Sequence, residues 1–348
     1  MDFMHLPQGP LTLQNLTAPA CLIGASGDLM SVSLNIEGGK ITDRHGTRAI
    51  RTHLDSVPPQ DNISWAVFEE MRDRWAGRIG LQAACLIGCE GMELDGPFRH
   101  TADLVAAAGG VLGMVTYPIK DLQDRVAGFF KLAADRGLAV DFHVDETLDP
   151  TSETLRAIAQ AVLDLGFDAP VTVGHLCSLS AQDDVRAANT IDLVARAGLN
   201  VVSLPMCNLY LQDRQQGTPR RRGITLVHEM KARGINVSFA SDNTRDPFYA
   251  YGDLDMIEVM REATRIGHLD HSGTDWVDAF LGNPAKACGF DLPSLAPGAP
   301  ADLVLCKART WTELFSRPQA DRIVLRAGRQ IDRTLPDYAE LDPLMRMP

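Results

Sequence analysis

From residue 46 to residue 266, short apolar runs alternate with stretches of helical periodicity. Residues 49–54, 81–87, 111–117, 139–144, 171–175, 200–204 and 236–240 read as seven strands. Between and after them, residues 64–76, 101–108, 122–136, 152–165, 181–197, 225–233 and 255–266 repeat apolar positions at helical spacing. Strict strand–helix alternation at this spacing predicts a parallel sheet covered by helices. A closed barrel of this kind needs eight such units, and seven are counted. An open nucleotide-binding sheet would accept seven, but no Gly-rich phosphate loop follows the first strand. The ends of the chain differ in texture. Residues 11–16 and 32–36 alternate as short strands, and Gly38-Gly39 predicts a tight turn before Lys40-Ile41-Thr42. Past Asn283-Pro-Ala-Lys286 the alternation stops, and residues 297–305, 322–326 and 330–331 give a turn and short strands. The expected organisation is 1–44 and 286–348 as one small β-domain with a tail, and 45–285 as a (β/α) barrel.

The stretch Ala139-Val-Asp-Phe-His-Val-Asp-Glu146 is the most informative of the strands. It runs apolar and then ends in His143, Asp145 and Glu146. In a parallel barrel, side chains at the carboxyl ends of strands meet at one mouth. The fifth run ends Gly174-His175, and the seventh leads into Ser241-Asp242-Asn243. Two imidazoles and carboxylates at one mouth can bind a divalent metal or exchange protons with a water on it. A lone interior histidine is more often inert, but His143 has Glu146 three residues on and two matching strand ends. Asp242 could instead cap a helix. His53 and Asp55 are expected to be inert, lining the barrel or bonded to a neighbouring strand. His268 and His271 are expected at the surface.

Composition narrows the partners. A net charge of −12 over 348 residues argues against nucleic acid or an anionic membrane. Arg220-Arg221-Arg222 is too short to reverse that and reads as a solvated loop. Seven scattered cysteines without a Cys-x-x-Cys pair suggest a reducing, cytoplasmic setting. The first ten residues lack a basic segment followed by an apolar run, so no signal peptide is expected. No apolar stretch approaches 18 residues, so no membrane span is expected.

At these residues the sequence resembles the amidohydrolase superfamily, in its cytosine deaminase-like branch. The family's fifth barrel strand ends His-Cys-Asp-Glu, against His143-Val-Asp-Glu146, and its sixth ends Ser-His or Gly-His, against Gly174-His175. Asn208-Leu-Tyr-Leu-Gln-Asp-Arg214, Arg221-Arg-Gly-Ile224 and Asp246-Pro-Phe-Tyr249 resemble its later segments, and Pro297-Gly-Ala-Pro-Ala-Asp302 resembles its return to a β-sandwich. The resemblance implies hydrolytic deamination of a small amino-substituted heterocycle with release of ammonia. It implies one divalent ion, iron or zinc, held partly by His143 and Asp242. Asp242 would take a proton from water, His175 would hydrogen-bond the developing oxyanion, and Glu146 would protonate the ring nitrogen and then the leaving amine. Cys89, Asn208, Gln212, Asp246 and Phe248 fall at substrate-binding positions.

Two departures change these expectations. The family's first barrel strand carries His-x-His, two further metal ligands, and this chain contains no His-x-His. The flanks of His53 match the second barrel strand, so the absent unit is the first, between Asp43 and His45. Its loss would weaken the metal site and expose two strand edges. A weak or inactive enzyme, poorly stable or prone to associate with a second copy, is expected. The other departure is Cys89, where cytosine deaminases place a glutamine that reads the pyrimidine edge, and Phe248, where they have tryptophan. A thiol cannot offer an amide's paired donor and acceptor, so a ring other than cytosine is at least as well suited. Ring-opening hydrolysis of a cyclic amide is disfavoured because Lys120 lies beyond Tyr117-Pro118, outside the strand. A non-catalytic relic that only binds a ligand is the other alternative.

Overall fold

The structure is a computed structural model that describes residues 11–36, 46–92, 94, 96–272, 275–335 and 337–345. The turn expected at Gly38-Gly39, the strand at Lys40-Ile41-Thr42 and the junction between Asp43 and His45 lie outside the described residues. The chain divides into two units: Ala49–Pro293, and Met1–Arg48 together with Ser294–Pro348.

In the terminal unit, β1 (Leu11–Pro19) and β2 (Leu29–Ile36) pair antiparallel. Leu13 and Ile36 point into a core shared with Ile323 and Leu325 from the far end of the chain. Burying one face of each short strand is what makes two distant pieces cohere, since an isolated hairpin is marginal in water.

The larger unit contains β3 (Ala49–Asp55), α1 (Gln60–Trp75), β4 (Gly80–Leu86), α2 (Pro97–Ala107), β5 (Leu112–Thr116), α3 (Leu122–Ala134), β6 (Val140–Val144), α4 (Thr154–Leu165) and β7 (Val171–His175). It continues with α5 (Asp184–Ala197), β8 (Asn200–Ser203), α6 (Pro205–Leu211), α7 (Val227–Ala232), β9 (Asn236–Phe239), α8 (Met256–Gly267) and α9 (Gly282–Cys288). All seven strands run parallel in chain order. β3 pairs with β4, bridges at Ala84–Val111 and Gly88–Val115 join β4 to β5, and β5 to β9 form a continuous sheet. The seven runs read from the sequence are these strands. The helix boundaries moved more, because capping rather than apolar spacing ends a helix. α1 begins at Gln60, directly after Pro58-Pro59, rather than at Ser64.

The outer layer follows from spacing. α4 buries Leu155, Ile158, Ala159 and Val162, one stripe at helical period, and stops at Gly166 with φ of 60°. Phe142 of β6 packs between Phe129 and Phe130 of α3, with ring centroids 5.0 and 5.6 Å away. Each such buried ring contributes roughly 1.5–3 kcal/mol. The opposite face of β6 carries Asp141 and His143.

β5 sits tightly between its neighbours at Gly113, where an added Cβ would run into the Cys85 carbonyl oxygen and approach the Asp141 carbonyl at 3.2 Å. Gly113→Ala is therefore expected to cost at least about 2 kcal/mol. The measurement is a urea denaturation curve, and an unchanged midpoint would contradict the tight packing. Among the described residues, no helix is long and apolar enough to cross a membrane.

Candidate active site

β6, β7 and β9 deliver His143, His175 and Asp242 to one place, and Glu146 follows β6 by two residues. The chain leaves its strands sharply there. Asp145, His175, Leu176 and Asp242 have φ of 48°, 73°, 54° and 63°, in the left-handed region that L residues rarely occupy. Such backbone persists where surrounding structure holds it, and it gathers at functional sites.

Donor atoms of Glu146, His175 and Asp242 all lie within 4.8 Å of one another. Asn208 Nδ2 donates to Glu146 Oε1 at 3.1 Å and stands 3.0 Å from His175 Nδ1. Nδ1 facing an amide N–H accepts, which puts the ring proton on Nε2. His175 Nε2 and Asp242 Oδ2 are buried without a hydrogen-bond partner. Gln212 Nε2 donates to the Glu146 carbonyl at 3.2 Å. Asn208 and Gln212 thus both hold Glu146.

Burial sets the protonation states. His175 falls well below the usual imidazole range through burial and the neighbouring His143 and His53. Burial, with His53 alongside, lowers His143 to about 4. Burial and then the charge of Asp242 push Glu146 up to about 7, against the pull of the Asn208 amide. Burial also raises Asp242. Neutral imidazoles beside carboxylates, with the buried Asp242 Oδ2 left unpaired, fit a divalent cation at or beside this cluster, while His175 Nε2, which carries the ring proton, is a donor rather than a ligand.

A second group adjoins the first. Donor atoms of His53, Asp141 and His143 also lie within 4.8 Å of one another. The His53 and His143 rings are 4.6 Å apart at 88°, and His143 and His175 are 4.9 Å apart, so three imidazoles run in a row. Asp141 is buried. Its Oδ2 accepts from Arg51 Nη1 at 2.9 Å and its Oδ1 lies 3.1 Å from His53 Nε2. Arg51 also donates to Gln82, Thr172 and the Ala287 carbonyl.

The sequence alone suggested an inert His53 lining the barrel or bonded to a neighbouring strand; its partner is instead Asp141 on β6, which is not adjacent to β3, and neither Asp141 nor Arg51 was singled out. A signal existed: Asp141 is a carboxylate inside an apolar strand, two residues from His143 and therefore on its face. Asp145 proves to be structural. Its oxygens accept from Ser152 Oγ, Thr154 N, Thr154 Oγ1 and Leu155 N, which caps α4. Three expected substrate contacts are not brought into the cluster. The Cys89 thiol is buried against the Tyr117 backbone, accepting its N–H at 3.3 Å. Asp246 is occupied by Asn243 and the N–H groups of Phe248 and Tyr249. Phe248 is 62% exposed.

Residues 90–332 match the amidohydrolase family. Pterin deaminase of Rhizobium rhizogenes is 54% identical over 303 residues, 86% of this chain and 69% of that protein. The chain belongs to the amidohydrolase family. It is similar in structure to 5-methylcytosine deaminase of Klebsiella pneumoniae, solved with phosphonocytosine. That match has a TM-score of 0.70 and 27% identity, and it covers 84% of this chain and 73% of that one. N-isopropylammelide isopropylaminohydrolase of Burkholderia multivorans matches with a TM-score of 0.67 and 25% identity, covering 82% of this chain and 71% of that one. The chain is therefore an α/β protein of the TIM-barrel type and a hydrolase of carbon–nitrogen bonds other than peptide bonds.

Proposed function

We propose that this amidohydrolase deaminates a pterin: water adds at the ring carbon bearing the exocyclic amine, the carbon–amine bond breaks, and ammonia leaves an oxo-ring. The observation that carries the reading is the Glu146–His175–Asp242 cluster with its raised carboxyl and unpaired buried atoms. The 54% identity to a pterin deaminase supports the substrate class.

A divalent ion, zinc or iron, held beside these groups, would supply a more acidic water. The chain's own residues do the rest. Asp242 accepts a proton from the attacking water. His175, neutral and carrying its proton on Nε2, donates to the oxygen that becomes negative. Glu146 holds a proton near neutral pH, passes it to the ring nitrogen and then protonates the departing amine. Asn208 and Gln212 keep Glu146 in position.

The absence of the first barrel unit belongs to the same reading. Among the described residues β3 pairs only with β4 and β9 only with β8, which supports the reading that a first strand is missing. Ile63 and Val67, one turn apart on α1, are 57% and 53% exposed, an apolar stripe suited to a missing neighbour or to a second copy. Turnover is accordingly expected to be slow.

The test is ammonia release by the purified chain, loaded with zinc or iron, on pterin and on cytosine. Pterin should yield ammonia and cytosine little. Cytosine turned over faster than pterin would overturn the substrate, and a new carboxylate in place of ammonia would point to cyclic-amide hydrolysis. A chain that binds pterin without releasing ammonia would favour the non-catalytic reading, which the lack of His-x-His supports.

A further inference from the structure

We propose that His53, Asp141 and His143 hold a divalent cation, so that β3 and β6 provide the ligands that no first strand supplies here. This rests on the metal-dependent reading above and adds to it a donor set that leaves Asp242 and Glu146 free to carry protons.

The spacing of the donors suits such an ion. In a tetrahedral zinc site with bonds of about 2.0–2.1 Å, neighbouring donor atoms stand roughly 3.3 Å apart. His53 Nε2 and Asp141 Oδ1 are 3.1 Å apart, and His143 offers a ring nitrogen within 4.8 Å of both. Two imidazoles and one carboxylate, with a fourth position open, form a common ligand set of catalytic zinc.

The donors are also held in place. Asp141 is anchored through Oδ2 by Arg51, itself tied to Gln82, Thr172 and the Ala287 carbonyl, so Oδ1 is presented at a fixed place. A ligating carboxylate hydrogen-bonded through its other oxygen is the usual outer-shell arrangement. His53 is solvent-exposed, which gives an ion a way in. Binding through Nε2 requires the tautomer with its proton on Nδ1, so the present contact to Asp141 is exchanged for two bonds to the ion. His175, whose ring lies 4.9 Å from that of His143, leaves Nε2 unpaired, as Asp242 leaves Oδ2.

The test uses chelator-treated full chain titrated with Co²⁺, followed by visible absorption, and with Zn²⁺ by calorimetry. Wild type should take one equivalent. Loss of an outer-shell partner alone costs about 10–100-fold in affinity, so H53A should weaken binding by at least about 100-fold and change the Co²⁺ spectrum. D242N should weaken it less than about 10-fold. An H53A protein that binds like wild type while D242N loses the ion would place the metal at the other cluster and overturn the proposal. So would a wild type that takes no ion. Should H53A fail to fold, the zinc-edge anomalous peak in wild-type crystals decides: it should lie in bonding range of residues 53, 141 and 143, and a peak beside residues 146, 175 and 242 overturns the proposal. A chain that holds the ion at residue 53 yet releases no ammonia from pterin would sink the deaminase reading and leave this one standing.

Discussion

Glu146→Gln is expected to reduce ammonia release from pterin by about 10²–10⁴-fold relative to metal-loaded wild type. The side chain keeps its shape, and an amide oxygen can still accept from Asn208 Nδ2. Only the proton transfer is lost, so KM should change little and kcat should carry the effect. The same substitution has a signed effect on stability. The folded-state carboxyl is raised from 4.5 to about 7, by burial and then by Asp242. A raised carboxyl favours its neutral form in the fold, so wild type loses stability as pH rises through about 7. The Gln variant lacks that loss, and its Tm should equal or exceed that of wild type above pH 8. A variant with wild-type kcat would remove Glu146 from the chemistry.

Arg51→Met should lower the free energy of unfolding by about 3–5 kcal/mol, because it strands the buried Asp141 carboxylate without its guanidinium. Burial alone would raise Asp141. His53 and Arg51 overcome it and hold the carboxyl at about 2, against an ordinary value of 3.8. A depressed carboxyl contributes stability that is complete above its unfolded value and is lost as pH falls through its folded one. The stability gap between wild type and R51M should therefore be full at neutral pH and shrink between about pH 4 and pH 2. Urea denaturation across that range measures it. A gap that stays constant with pH would mean that the ion pair is not what Arg51 contributes.

The strand count, the parallel order and the four groups His143, Glu146, His175 and Asp242 were legible because strand ends are local. An apolar run that stops in His or Asp announces both the strand and the place where it delivers a side chain. Asp141, Arg51 and His53 were not. Their importance lies in contacts 88 and 90 residues apart in the chain, and no local pattern states which inward side chains meet across a sheet. What Cys89, Asp246 and Phe248 touch in the fold has the same origin. A motif carries residue types, but whether a thiol faces the cavity or the Tyr117 backbone depends on packing.

By itself, the sequence of this protein determined seven βα units, a family likeness, a set of chemically able residues and the absence of His-x-His. The units and the residues follow from periodicity and composition and the likeness from motifs, all of them written one residue after another. Only the tertiary structure decided that two groups of three donors share one row of imidazoles, that Asp145 caps a helix, and that Arg51 steadies Asp141. The reason is that burial and charge pairing depend on which side chains are neighbours in space, and folding chooses them through packing from every part of the chain together.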